Sequence, residues 1–85
     1  MSQNELEFHI LLTKTQSGDK TAYAKLLERV ATMAERYVKR KMGAHADCDD
    51  VVQEILISVD KALHTFDPSR RCMPWLAAIM HYRMS

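Results

Sequence analysis

Glycine, proline and cysteine are scarce in this 85-residue chain, with two of each. Two cysteines, Cys48 and Cys72, are too few for a disulfide framework. Two isolated glycines cannot build a glycine-rich phosphate loop. No run approaches the roughly 18 apolar residues of a membrane span, so no membrane insertion is expected. No strict apolar–polar alternation runs long enough to suggest a strand. The length excludes a barrel or a doubly wound sheet. Paired catalytic carboxylates and nucleophile–base motifs are also missing, and Ser58, Cys48 and Cys72 have no evident activating neighbour. Neither an enzyme nor a bound cofactor is expected. The N-terminal MSQNELEFHILLTK has acids where a signal peptide has bases. With few cysteines and six methionines, the chain reads as reduced and cytoplasmic.

Cys48, Cys72, His45, His64 and His81 are the side chains that could in principle supply a zinc site. Only His45 with Cys48 has the spacing of a short ligand pair, and no metal site is expected.

What remains is a globular composition. Hydrophobic residues at 47% and charged residues at 27% suit one folded domain and not a disordered tail. The glycines and prolines punctuate long helix-periodic segments, which predicts an all-α, compact bundle of about four helices. The first helix is expected from about Asn4 to Gln16, with Leu6, Ile10 and Leu11 at helical spacing. Gly18 stops it, and Asp19 is a good N-cap for a second helix reaching Met42. That helix has an apolar stripe of Tyr23, Leu26, Leu27, Val30, Met33, Ala34, Tyr37 and Val38. Asp47 is expected to cap a third helix, whose buried stripe is Val52, Ile55, Leu56, Val59, Ala62 and Leu63. Its end is set before Asp67-Pro68, since the residue before proline is pushed out of helical geometry. Pro74 fits the first turn of a fourth helix, which has no stop signal before Ser85 and reads as truncated.

Two features stand out. At about 100° per residue, the outer face of the third helix carries Asp50, Gln53, Glu54, Ile57, Lys61 and His64. Ile57 is an apolar residue in a polar face. Such a face suits protein docking; a solvated helix with one stray isoleucine gives the same pattern. The loop from Thr65 to Met73 holds Phe66, Arg70 and Arg71, and Trp75 follows. Aromatics beside guanidiniums suit single-stranded nucleic acid, although the two rings could equally close the end of the core.

The net charge of +1 conceals a division into blocks. Residues 19–41 hold seven bases and three acids, residues 47–67 six acids and one base, and residues 68–85 three bases and no acid. Helix-dipole complementation accounts for part of this.

In order, Asp50-Val51-Val52-Gln53-Glu54, Ala62-Leu63-His64-Thr65-Phe66 and Pro74-Trp75-Leu76 with Ile79 resemble region 2 of bacterial sigma factors. The likeness is to the extracytoplasmic-function (ECF) group of the sigma-70 family. Phe66-Asp67-Pro68-Ser69-Arg70 and Gln16-Ser17-Gly18-Asp19 extend it over nearly the whole chain. The chain departs from the pattern at Arg71-Cys72-Met73, where many members carry Phe, and at Tyr82, where Asn is common.

The resemblance implies a transcription initiation domain of the bacterial cytoplasm. Asp50, Gln53, Glu54 and Ile57 would dock on the clamp helices of the largest subunit of core RNA polymerase. Phe66, Arg70, Arg71, Trp75, His81, Tyr82 and Arg83 would contact the single-stranded promoter −10 element, with one base captured outside the stack. An anti-sigma factor is an implied partner. A single domain over residues 1–85 is expected, lacking the family's C-terminal helix-turn-helix, region 4. The alternative reading is a helical protein-interaction or regulatory adaptor module without DNA binding.

Overall fold

The computed structural model describes residues 2–43 and 48–84, with side chains as far as Tyr82. The described residues form four helices and no strand: α1 (Gln3–Gln16), α2 (Lys20–Met42), α3 (Cys48–Ala62) and α4 (Cys72–Met84). A single 3-10 turn, Leu63–Thr65, follows α3.

Short polar side chains start the first two helices. The Ser2 hydroxyl accepts the Glu5 N–H at 3.2 Å, and Asp19 accepts the Ala22 N–H at 3.0 Å. Each satisfies a donor that has no partner within the helix. Gly18 turns the chain between α1 and α2 at φ 96° and Gly43 ends α2 at φ 74°, a region that side chains rarely enter. Lys39, Arg40 and Lys41 fill the last turn of α2, at the negative end of its dipole. The expected cap Asp47, and His45, lie outside the described residues.

The long second helix is the spine. Ala22, Leu26, Val30, Ala34 and Val38 are all buried. Spacing of four drifts slowly around a helix, so this stripe meets α1 along one edge and α3 along the other. Tyr23, Leu27, Met33 and Tyr37, expected in the stripe, flank it half-buried. Val52, Ile55 and Val59 answer from α3, and Cys72, Leu76 and Met80 from α4. A fully buried side chain such as Ile55 contributes roughly 1.5–3 kcal/mol. Arg29 pairs with Glu7 and lies over the Phe8 ring, which fastens α1 to α2.

On the first helix, Leu6 and Ile10, noted for their helical spacing with Leu11, are 49% and 43% exposed. The buried residues of α1 are Glu5, Phe8 and Leu12. Apolar residues at 6, 8, 10, 11 and 12 lie all around this helix, so hydropathy alone does not choose a face. The face that is buried carries Phe8 and Leu12 into the core and brings Glu5 to its partners on α4.

Candidate nucleic-acid interface and docking face

The spacing of Asp50, Gln53, Glu54 and Ile57 puts them on one strip of α3, and all four are exposed. Ile57 is 52% exposed. Lys61 and His64 continue the strip, also exposed. Among the described residues, Asp50, Gln53 and Glu54 make no side-chain hydrogen bond or ion pair. Nothing here holds the strip but the helix beneath it. On the flank toward α2, Asp60 accepts a 2.6 Å hydrogen bond from the Tyr23 hydroxyl. That bond, with burial and the nearby carboxylate charge, raises the Tyr23 pKa.

Beyond the 3-10 turn the chain folds back on itself. The Asp67 carboxylate accepts the Ser69 N–H at 2.9 Å and the Ser69 hydroxyl at 2.7 Å. These bonds, helped by Arg70, lower the Asp67 pKa. The Arg70 N–H closes the turn on the Asp67 carbonyl at 2.9 Å. The result is a hollow of about 570 Å³, bordered by Thr65, Asp67 and Pro74, with Phe66 and Trp75 as aromatic walls and Arg70 and Arg71 lining it. Clefts of roughly 300–1,000 Å³ accommodate small planar ligands.

The two aromatic residues differ. Phe66 is only 3% exposed. Its ring meets His9 edge-on at 5.8 Å and Trp75 at 5.4 Å. The ring is thus largely covered by protein and meets the hollow only as part of its wall. Trp75 is half-buried, and its indole N–H donates to the Thr65 hydroxyl at 3.0 Å. Trp75 also borders a second, more apolar hollow with Ser58, Lys61, His64, Ile79 and Tyr82. His81 and Tyr82 are exposed on α4, Tyr82 by 74%. Arg83 is helical, and its side chain lies outside the described residues. Arg70 lies 3.8 Å from Asp67, and Arg71 lies 3.8 Å from Glu5.

Glu5 is the residue that the sequence reading missed. It has no exposed surface, yet its two carboxylate oxygens accept the N–H groups of Cys72 at 2.7 Å and Met73 at 2.9 Å. Burial by itself would raise its pKa; the hydrogen bonds from Cys72 and Met73 and the charge of Arg71 outweigh that and lower it. The first turn of α4 is thus capped by a side chain 67 residues earlier. Two further α1 side chains reach the same segment. His9 lies 2.8 Å from the Pro68 carbonyl, and the Gln16 amide donates to the carbonyls of Leu63 and Phe66, both at 2.9 Å. The one signal available in the sequence was an acid on the helical face shared with Phe8 and Leu12.

The thiols do not form a reactive pair. Cys72 is fully buried, and burial together with the adjacent Glu5 carboxylate pushes its pKa up to about 12. Cys48 is half-buried, with its sulfur 3.4 Å from the Gly43 carbonyl. Among the described residues, no three His, Cys, Asp or Glu side chains are grouped to hold a metal ion. None of the described helices is long and apolar enough to cross a membrane.

Comparison with known proteins bears on both surfaces. The family model described as sigma-70 region 2 matches residues 23–85. That range holds the α3 strip, the hollow and α4; Glu5, His9 and Gln16 precede it. The chain is similar to the ECF RNA polymerase sigma factor SigF of Caulobacter vibrioides (strain NA1000 / CB15N), at 29% identity over 85 residues. The alignment covers 99% of this chain and 48% of that protein, so the chain spans about half the length of this curated relative. No solved structure matches.

Proposed function

Because the chain belongs to the sigma-70 region 2 family, we propose that it serves bacterial transcription initiation by docking on core RNA polymerase and reading the melted promoter −10 element. The domain recognises and positions, and carries no chemistry of its own. The observation that carries this reading is the hollow after α3, with Trp75 in its wall and Arg70 and Arg71 beside it. It lies at the end of the helix that bears the acidic docking strip.

Strand separation exposes base faces and edges that a duplex hides. A base leaving the stack enters the hollow and packs against Trp75, while Arg70 and Arg71 draw the flanking phosphates. Stacking on an aromatic side chain is worth about 1–3 kcal/mol per base. Tyr82, which borders the neighbouring apolar hollow with Trp75, extends the track along α4, and His81 and Arg83 adjoin it in sequence. Phe66 supports the hollow from below instead of touching the strand. On α3, Ile57 supplies the apolar centre of the polymerase contact, and Asp50, Gln53 and Glu54 supply its polar rim. An anti-sigma factor is the natural competitor for that strip.

Two measurements test the reading. The chain should co-elute with core RNA polymerase, and Asp50→Ala, Gln53→Ala and Glu54→Ala together should abolish co-elution. Trp75 fluorescence should change on adding single-stranded −10 DNA, and Trp75→Ala, read by the anisotropy of a labelled oligonucleotide because the chain has one tryptophan, should weaken that binding about tenfold. Affinity should fall with rising salt as phosphate contacts are lost. Unchanged co-elution of the triple variant with polymerase, or equal binding to every base sequence, defeats the corresponding half.

A further inference from the structure

We propose that α1 is a three-point clasp that sets the shape of the 63–73 loop, with Glu5 as the positioning residue on which base selection depends. The inference rests on the proposed reading of that loop as the −10 reader, and adds a determinant that lies outside the hollow and outside the family match.

Glu5, His9 and Gln16 fall within about 40° of one another at 100° per residue, so one edge of α1 carries all three. Phe8 and Leu12 lie beside that edge and bury α1 against the core. The three side chains meet the loop in order. Gln16 takes its start, through the carbonyls of Leu63 and Phe66. His9 takes its middle, at Pro68. Glu5 takes its end, through the amides of Cys72 and Met73.

The loop has few fixed points of its own. Its internal backbone and hydroxyl bonds are the Phe66 N–H to the Leu63 carbonyl at 3.3 Å, which closes the 3-10 turn, and those of one turn from Asp67 to Ser69 and Arg70. Arg70, Arg71, Pro74 and Trp75, which line the hollow, are set by where that turn and the first turn of α4 are held. Glu5 matters most because its chemistry is least replaceable. Two adjacent N–H donors converge on it inside the protein, and a carboxylate offers an acceptor to each. A glutamine of the same shape offers one acceptor and turns N–H groups toward the second donor. Arg71 adds dependence, because the buried carboxylate draws its guanidinium to 3.8 Å at the edge of the hollow.

The test uses the whole chain and the variant Glu5→Gln. Amide hydrogen exchange at Cys72 and Met73 should be slow in the wild type and at least about tenfold faster in the variant. Binding is then read on a panel of short single-stranded DNA oligonucleotides with each base in turn at each position. The variant's preference between the best base and its competitors should fall about tenfold, while the salt dependence of binding is kept. Loss of selectivity at unchanged salt slope separates mispositioning from general weakening. If Glu5→Gln does not fold, Gln16→Ala replaces it. Gln16 is exposed, and its loss frees the start of the loop, so base preference should drop with helicity intact. Wild-type exchange at Cys72 and Met73 as fast as in an open chain overturns the clasp, as does unaltered base preference in the folded variant. If no oligonucleotide binds the wild type, the −10 reading falls, while the exchange rates still decide whether Glu5 holds the loop.

Discussion

Along α3, Asp50, Gln53, Glu54 and Ile57 share a direction because helical spacing gives it to them. Between Leu63 and Met73 the chain is held by α1 side chains 47 to 68 residues away. The first surface is local and self-sufficient, and any sequence that keeps the α3 helix keeps it. The second exists only in the folded molecule. A docking strip of this kind can vary residue by residue without disturbing the fold. A hollow built on distant hydrogen bonds ties the proposed recognition to stability, so substitutions that loosen one should loosen the other.

The contrast is broken or sharpened most strongly at Phe66. This ring joins the loop to the core through His9 and Trp75. Phe66→Ala should destabilise the fold by about 3–5 kcal/mol, read by urea or thermal unfolding. An unchanged midpoint would mean that the ring is not part of the core. Glu5→Ala comes next, at about 2 kcal/mol, since two amides in the protein interior lose their acceptor. Acid adds a second readout. The Glu5 pKa is lower in the fold than its ordinary value of 4.5. Its contribution is therefore complete above about pH 4.5 and is lost as pH falls through the lower folded value. The stability gap between the wild type and Glu5→Gln should narrow on acidification. A gap that widens would put the carboxylate in the wrong protonation state.

The same contrast explains what the sequence disclosed. The four helices, the caps at Asp19 and Gly43 and the core stripes of α2 and α3 follow from local patterns, and so does the exposure of the α3 strip. The buried face of α1 does not. Leu6 and Ile10 are as apolar as Phe8 and Leu12, and the buried face is the one on which a carboxylate meets a helix end far along the chain. The burial of Phe66 is not legible in the sequence for a related reason. Aromatic and arginine neighbours are alike on paper whether the ring faces solvent or the core, and His9, which covers one side of it, is 57 residues away by number (66 less 9).

Gln16→Ala probes the middle of the scale. Its amide bridges two carbonyls but remains exposed, so water can replace it. The expected cost is about 1 kcal/mol by chemical denaturation. A cost as large as that of Glu5→Ala would mean that the start of the loop is held as firmly as its end.

The smallest effect on stability is expected where the proposed effect on binding is greatest. Replacing Asp50, Gln53 or Glu54 with alanine removes no side-chain hydrogen bond or ion pair among the described residues; alanine favours the helix slightly, offset at Asp50 by the loss of an acid in the first turn of α3. Each should shift unfolding by less than about 0.5 kcal/mol. Ile57→Ala loses part of a half-exposed side chain but gains helix propensity, and should stay in the same range. If unfolding of these variants is unchanged while polymerase co-elution is lost, the strip acts through its partner alone. A destabilisation above about 1 kcal/mol at any of the four would show that the strip also supports the fold, and would erase its difference from the loop.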